Sequence, residues 1–309
     1  MASSNAAIGA SPLLAAPMEP EPWGVILAVY FSAVGLPSGI ALAGLWYGAL
    51  APEDRLRTEW RTAWAGLAML VLAGAALTID LGRPERFFLM ITRFENWSSP
   101  ISLGAKLLAL KGLLLVMVLY FQWRRAGSFR AASRGRGIAA LDRTAERVDQ
   151  ALRWAVMVVS VALALYPAAV LSWTWVSPLG AAPGALLIFL STSLLMGVAA
   201  FELLNRDTAV RDGPHIGLVR SAPLVLLVVY AVALLFTVLA ARESSASPAV
   251  DDALSGAWAP LSYYGVLGAG IAAPMLLLAS APRSRWARAT SALLIIAGAG
   301  LARFTVFAV

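Results

Sequence analysis

Several tyrosines and ionisable residues lie inside long apolar segments of this chain, where a charge costs about 2.5–3.5 kcal/mol if the segment crosses a bilayer. At a helical rise of about 1.5 Å per residue, six such residues fall in the same half of that bilayer: Tyr30, Asp80, Lys106, Lys111, Tyr166 and Arg303. The other half offers chiefly Glu202, which can instead cap the end of its helix. Hydroxyls, a carboxylate and cations at one depth can hydrogen-bond a polar ligand and exchange protons with it.

Each of these residues also has a purely structural interpretation. Lys106 and Arg303 can extend along the helix to place their charges at the membrane surface. Tyr30 and Tyr166 can serve as packing aromatics. Lys111 is about 14 Å deep, too far for its side chain to reach the membrane surface. Its position therefore predicts a carboxylate partner or a polar cavity. The shared depth of the six favours a binding site.

The composition is that of a membrane protein. Of the 309 residues, 60% are hydrophobic and 13% are charged, and the mean hydropathy is +0.77. Soluble domains average about a quarter charged residues, which excludes an ordinary soluble protein. Eight segments have the roughly 20 apolar residues that a membrane helix requires. They are Trp23–Leu50, Trp60–Thr78, Ser102–Trp123, Trp154–Val176, Ala182–Leu204, Val219–Ala241, Leu261–Ala281 and Trp286–Val309.

The content of metal-ligating residues restricts the cofactors that the chain can hold. Cysteine is absent and His215 is the one histidine. The chain therefore has no thiolates for an iron–sulfur cluster and no histidine pair for a haem. The net charge of +7 comes mainly from short arginine blocks between apolar runs, which indicates a membrane protein rather than a nucleic-acid-binding one.

The distribution of basic residues predicts the orientation. Seventeen of the 24 lie in the loops that follow spans one, three, five and seven, and four lie in the opposite loops. The positive-inside rule places the seventeen in the cytoplasm and both termini in the periplasm. We expect an all-α membrane protein with eight transmembrane helices in two four-helix bundles, residues 23–176 and 182–309, after a flexible tail, residues 1–22.

Two loops are long enough to have structure of their own. The cytoplasmic loop 124–153 predicts a basic linker and then a short amphipathic helix, 138–152, lying on the lipid surface. The outer loop after Asp80 predicts a tight turn and a short interfacial helix. Its charged residues form a candidate docking surface for an external partner, although the loop could equally be a stiff structural connection. They are Arg83, Glu85, Arg86 and Arg93.

The chain resembles the polysulfide-reductase-type (NrfD/PsrC) membrane subunits in three ordered motifs. The motifs are found in span one, in the outer loop that leads into span three, and in span four. They are Tyr30-Phe-Ser-Ala-Val-Gly35-Leu-Pro-Ser-Gly39; Leu81-Gly-Arg-Pro84 with Ser99-Pro-Ile-Ser-Leu-Gly-Ala105; and Leu165-Tyr-Pro-Ala-Ala-Val-Leu-Ser172. The resemblance covers the first four spans, while the last four agree in number and hydropathy.

This resemblance implies a pocket for a quinone, menaquinone or ubiquinone, near the outer face among the first four helices. The family's ring-bearing position in span one falls on Tyr30 and its span-four tyrosine on Tyr166, which makes both candidates to hydrogen-bond the quinone carbonyls. We add Asp80 as a proton exchanger, and Lys106 and Arg303 as cations, to the quinone site. Lys111 and Glu202 are candidates for a proton path.

The resemblance also implies partners. A ferredoxin-like iron–sulfur subunit would dock on the periplasmic face of a bacterial inner membrane and connect the chain to a molybdopterin catalytic subunit. The chain would then be a membrane anchor that exchanges electrons with quinone, without holding the catalytic centre. Two alternatives remain, a secondary transporter that uses the same buried charges and a structural anchor without a quinone site. Transporters commonly have matched helix breaks in inverted repeats, and no such pairs occur here.

Overall fold

The computed structural model describes residues 25–80, 89, 92, 99–132, 142–174, 177–205 and 216–308. Within these ranges, eight helices are long and apolar enough to cross a membrane, so the predicted number of spans is confirmed. The chain is a multi-pass integral membrane protein. Its spans are Val25–Ala33 with Gly35–Leu50, Arg55–Asp80, Pro100–Ala132, Asp142–Thr174, Ala185–Leu204, Ile216–Arg242, Leu261–Ala272 with Ala273–Ser280, and Arg285–Ala308.

Side-chain contacts show which span ends lie together. Tyr166, near the end of span four, contacts Pro100 at the start of span three. Ser177, between spans four and five, contacts Val306 at the end of span eight. We call this the Tyr30 end. At the opposite end, the Arg55 end, Arg55 at the start of span two contacts Asp149 in the first turns of span four.

Span one lies between the two halves of the chain. It packs on spans two and four of the first half and on spans five and eight of the second. Its closest approach is to span five, where a Cβ atom at Gly39 would lie 1.8 Å from the carbonyl oxygen of Ser193. A Cβ atom at Gly197 would lie 2.0 Å from the carbonyl carbon of Gly39. Glycines at such crossings let membrane helices touch backbone to backbone. The division into two bundles stays a prediction.

Span one contains an interruption just below Tyr30. The helix pattern breaks at Val34, although the dihedral angles of Val34 stay α-helical at φ −62° and ψ −21°. Pro37 explains the break, because proline has no N–H to donate to the carbonyl of Ala33. The helical hydrogen-bond pattern of span one is therefore interrupted close to Tyr30, a residue that the sequence analysis assigned to the site.

Two features differ from the sequence predictions. The amphipathic stretch before span four is not a separate surface helix, because the described helix Asp142–Thr174 is continuous from the loop into the membrane. Charged residues at its start can remain helical since they pair with span two, as described below. The first part of span seven, Leu261–Ala272, is a π-helix and not an α-helix. Apolar periodicity alone does not distinguish the two.

Candidate functional site

Two tyrosines predicted from separate motifs lie beside one phenylalanine at the Tyr30 end. Tyr30 in span one is 1% exposed and Tyr166 in span four is 4% exposed. The ring of Phe31 lies 5.1 Å from the ring of Tyr30 and 6.0 Å from that of Tyr166, measured between centroids. The structure therefore brings the two predicted quinone contacts to one place, with an aromatic wall between spans one and four.

The two hydroxyl groups differ in their hydrogen bonding. Tyr166 donates to the carbonyl oxygen of Pro100 at 3.0 Å. The hydroxyl of Tyr30 is buried and has no partner among the described residues. The ring of Tyr30 and the ring of Tyr166 both lie against the ring of Phe31. A buried donor without an acceptor costs about 1–3 kcal/mol, and such exceptions in a well-packed protein call for a functional explanation.

The span-three motif holds Tyr166 in place. A Cβ atom at Gly104 would lie 2.2 Å from the Tyr166 hydroxyl oxygen, so only glycine leaves room for the end of that ring. Pro100, one turn earlier on the same helix, accepts the hydroxyl's hydrogen bond. The sequence analysis did not assign these two residues to the site. The sequence signal that could have identified them is that both lie in the motif at the start of span three, in which Gly104 is a small residue.

The two lysines of span three are both buried. Lys106 is 9% exposed and Lys111 is fully buried. The Lys111 ammonium donates to the hydroxyl of Ser160 in span four, and that hydroxyl donates to the carbonyl oxygen of Val156. The partner of Lys111 is therefore a serine, where the sequence analysis expected a carboxylate or a polar cavity. The five-residue separation places Lys111 about 7.5 Å farther from the Tyr30 end than Lys106.

Arg303 is fully buried in the interface between the two halves. Its Nε donates to the Thr192 hydroxyl at 2.8 Å, and its Nη2 donates to the Ser193 hydroxyl and to the carbonyl of Phe189, all in span five. Another donor reaches the carbonyl oxygen of Phe31 at 3.5 Å. These bonds are to protein atoms, so Arg303 supports the backbone of span one at Phe31, and its place in the quinone site stays a prediction.

Gly35 makes this arrangement possible. A Cβ atom there would lie 2.0 Å from a guanidinium nitrogen of Arg303. The Gly-x-x-x-Gly spacing of span one therefore serves two contacts, Gly35 with span eight and Gly39 with span five.

Several predicted site residues fall outside the description. The backbone of Asp80 ends span two, but its side chain lies outside the described residues, as do the docking candidates Arg83, Glu85, Arg86 and Arg93. Their assignments stay predictions.

Glu202 lies at the Arg55 end, far from the tyrosines along its span. It forms an ion pair with Arg288 at the start of span eight. Nearby, Arg61 of span two donates to the carbonyl of Leu204 at 3.1 Å. Glu202 therefore joins spans five and eight.

A network of charges around two buried carboxylates at the Arg55 end was missed by the sequence analysis. Arg153 contacts Glu59 at 2.6 Å and Asp149 at 3.1 Å, and Arg55 contacts Asp149 at 2.6 Å. Gln122 of span three donates to Glu59 at 3.2 Å. The sequence analysis counted the arginines only as loop charges, yet Asp149 and Arg153 are four residues apart, the spacing that puts both on one helix face.

A family comparison covers nearly the whole chain. The model of the family described as Polysulphide reductase, NrfD matches residues 14–309. The chain belongs to the NrfD family. The family recognised from motifs in the first four spans is thereby confirmed, and the match extends through the last four. NrfD proteins are membrane subunits of quinone-linked oxidoreductase complexes and typically pair with iron–sulfur and molybdopterin subunits. No curated protein matches the chain.

The NrfD motifs of this chain converge in the structure. Tyr30 comes from the first motif, Pro100 and Gly104 from the second, and Tyr166 from the third. Tyr166 meets Pro100 and Gly104 directly, and the ring of Phe31 links it to Tyr30. We call these residues the tyrosine site.

Proposed function

We propose that this NrfD protein binds a quinone head group at the tyrosine site and exchanges its electrons with an iron–sulfur partner subunit. The observation that supports this most directly is the buried hydroxyl of Tyr30, a donor without an acceptor among the described residues. A quinone carbonyl is an acceptor of the right kind for this hydroxyl, and the neighbouring rings of Phe31 and Tyr166 give it apolar surroundings.

A bound quinone supplies the two-electron, two-proton chemistry, and the residues of the chain position it and handle protons. Tyr30 donates a hydrogen bond from span one. Tyr166 is fixed by Pro100 and Gly104, so its hydroxyl oxygen keeps one orientation and can accept a hydrogen bond while it donates to Pro100. Arg303 holds the backbone of Phe31 from behind.

Proton exchange requires groups that connect this site to water. We assign Asp80, at the end of span two, to exchange with the aqueous phase at the Tyr30 end. Lys106 adds positive charge near the site, and the buried pair of Lys111 and Ser160 extends the polar groups toward the membrane centre. Glu202 shares its carboxylate with Arg288, so we assign it to joining two spans.

The partners follow from family membership and charge. A ferredoxin-like iron–sulfur subunit docks at the Tyr30 end, on the periplasmic face of a bacterial inner membrane, and passes electrons to or from a molybdopterin subunit. Charged loop residues provide the docking contacts. They are Arg83, Glu85, Arg86 and Arg93. Because the chain has no cysteine, the cluster that faces the quinone must belong to the partner.

The test compares two buried tyrosines in the intact complex. Both Tyr30 and Tyr230 have hydroxyls without a partner among the described residues, but Tyr230 lies in span six near Arg303. We expect Tyr30→Phe to lower quinol-linked turnover about 3- to 10-fold, the loss from one hydrogen bond. Tyr230→Phe should leave turnover unchanged.

Turnover of the partner subunits with a soluble electron-accepting or electron-donating dye is the control for assembly. It should be equal in both variants and the unmodified complex. Equal quinol-linked turnover in all three proteins would contradict the assignment of Tyr30.

A further inference from the structure

The second half of the chain contains an apolar cavity that the tyrosine site does not include. It is a partly open cavity of about 80 Å³ at the Tyr30 end, between spans five to eight and the short helix Ser247–Ser255. Its walls come from every one of these elements. Representative wall residues are Ile188, Leu234, Val238, Leu254, Val266 and Val306.

The walls of this cavity offer little to water. Three hydroxyl-bearing residues line it among the described part of the chain: Thr237, Ser262 and Thr305. Thr237 donates to the carbonyl of Ala233 at 2.7 Å and Thr305 to that of Leu301 at 3.0 Å, each within its own helix. A buried water needs two to four polar partners, and cavities without them stay dry or bind apolar molecules. No charged residue is among the described lining.

The cavity lies where spans six and seven separate. These spans pack against each other through Ala273–Ser280, the part of span seven nearer the Arg55 end. The π-helical part of span seven instead borders the cavity through Ser262, Val266 and Leu267. Half-buried residues form the rim on both sides, among them Leu234 and Val238 of span six. Because the neighbouring face of span six is exposed and apolar, this gap faces the hydrocarbon of the bilayer.

A cation stands above the gap. Arg242, in the last turn of span six, is exposed and lies four residues beyond Val238, which places both on one face of the helix. The predicted outer loops contain four basic residues. Three of them lie in the loop that follows span two, and Arg242 is the fourth. The membrane component that combines hydrocarbon with an anionic group at this height is a phospholipid.

We propose that the cavity binds one acyl chain of a membrane phospholipid, which enters between spans six and seven with its phosphate at Arg242. The acyl chain of the lipid would fill the space beside the π-helical segment of span seven, which would otherwise lack a packing partner there. This inference does not depend on the quinone assignment, because it concerns other spans and another ligand.

The experiment uses the full-length protein in nanodiscs of phosphatidylethanolamine and phosphatidylglycerol that contain a phosphatidylglycerol with a diazirine on its acyl chain. After photolysis, mass spectrometry locates the labelled peptides. We expect label on the cavity-lining parts of spans six and seven. Arg242→Gln should lower that label about fivefold, as expected for one cation near a lipid phosphate. Arg220→Gln, at the other end of the same span, should not change it.

A second variant fills the cavity. Ala253, on the short helix, lines it and is buried, so Ala253→Phe should abolish the cavity label while label on lipid-facing span surfaces persists. Ser255→Phe, exposed on the same helix, is the matched control. If Ala253→Phe does not fold, the unmodified protein and the Arg242 variant still decide the question.

Any of the following labelling results would overturn the proposal: no label on the cavity-lining peptides of the unmodified protein, equal label in the Arg242→Gln variant, or equal label in a folded Ala253→Phe variant. Competition with unlabelled molecules identifies which molecule supplies the acyl chain in the cavity. Excess unlabelled phosphatidylglycerol should reduce the label and decylubiquinone should not. Equal competition by decylubiquinone would show a site for any hydrocarbon chain and would also contradict the proposal.

Discussion

At the scale of single residues, the protein retains two buried tyrosine hydroxyls that its described neighbours do not satisfy. One belongs to Tyr30, beside Tyr166, and the other to Tyr230, beside Arg303. Removing an unpaired buried hydroxyl does not break a hydrogen bond, so neither change to phenylalanine is expected to cost stability. A loss of turnover on changing Tyr30 would therefore come from a missing contact with the ligand rather than from damage to the fold.

Gly104 provides a test of how the tyrosine site is held. In Gly104→Ala, the new methyl group would overlap the Tyr166 hydroxyl, which lies 2.2 Å from the Cβ position, and the ring must move. Overpacking of this kind costs about 1–3 kcal/mol. We expect a lower free energy of unfolding, measured by denaturant titration in detergent, together with lower quinol-linked turnover.

Gly112 of the same span is the matched control. A Cβ atom there would meet only Leu70, at 3.4 Å, which is an ordinary contact. Gly112→Ala should keep turnover and raise stability slightly, by up to about 1 kcal/mol, since alanine favours helix more than glycine does. Equal behaviour of the two variants would show that Tyr166 is not constrained by span three.

Arg303 provides a second test at this scale. Its guanidinium donates in several directions, to span five and to the Phe31 carbonyl. A lysine keeps the charge but cannot reproduce that geometry. We expect Arg303→Lys to lower the free energy of unfolding by about 3 kcal/mol, because a buried charge and two carbonyls lose partners. Arg285→Lys, exposed at the other end of span eight, should change it by less than about 0.5 kcal/mol. A similar effect of both changes would contradict a supporting role for Arg303.

At the scale of helices, the crossing of spans one and five holds the two halves together. A methyl group at residue 39 would lie 1.8 Å from a backbone oxygen of span five, which has no rotamer by which to move aside. Gly39→Ala should therefore separate the two helices and lower the yield of folded protein several-fold in fluorescence-detected size-exclusion chromatography. Gly217→Ala in span six, where nothing lies within 4 Å of the Cβ position, is the control and should express normally.

The helices were predictable and their contacts were not, for a physical reason. Each span must satisfy its own backbone in hydrocarbon, so local hydropathy determines its position. The partners of Lys111 and Glu59, by contrast, come from residues 49 and 94 positions away. Local sequence shows that each side chain can form a hydrogen bond or ion pair, but it does not show which distant residue is the partner. Depth in the membrane singled out Tyr30, Tyr166 and Arg303 alike, and the family motifs then identified the two tyrosines a second time. The contacts of Arg303 with span five and with Phe31 were not predictable from depth, and its place in the quinone site stays a prediction.

At the scale of the whole molecule, the two ends of the protein have different chemistry. The Arg55 end has a network in which two arginines and two carboxylates neutralise one another across spans two and four. The Tyr30 end has aromatic rings, hydroxyls and the apolar cavity. The proposed quinone and the proposed acyl chain both require an apolar environment near one surface, while ion pairs can close the opposite surface.

The orientation of the whole chain can be measured because the protein has no cysteine. Ser255 follows span six at the Tyr30 end and Ser284 precedes span eight at the Arg55 end, and both are exposed. In intact spheroplasts, a membrane-impermeant maleimide should label Ser255→Cys and should label Ser284→Cys only after permeabilisation. This result is expected because seventeen of the 24 basic residues lie in the loops at the Arg55 end, and such loops stay in the cytoplasm. The reverse labelling would place the tyrosine site next to the cytoplasm, and any iron–sulfur partner would then have to dock from that side.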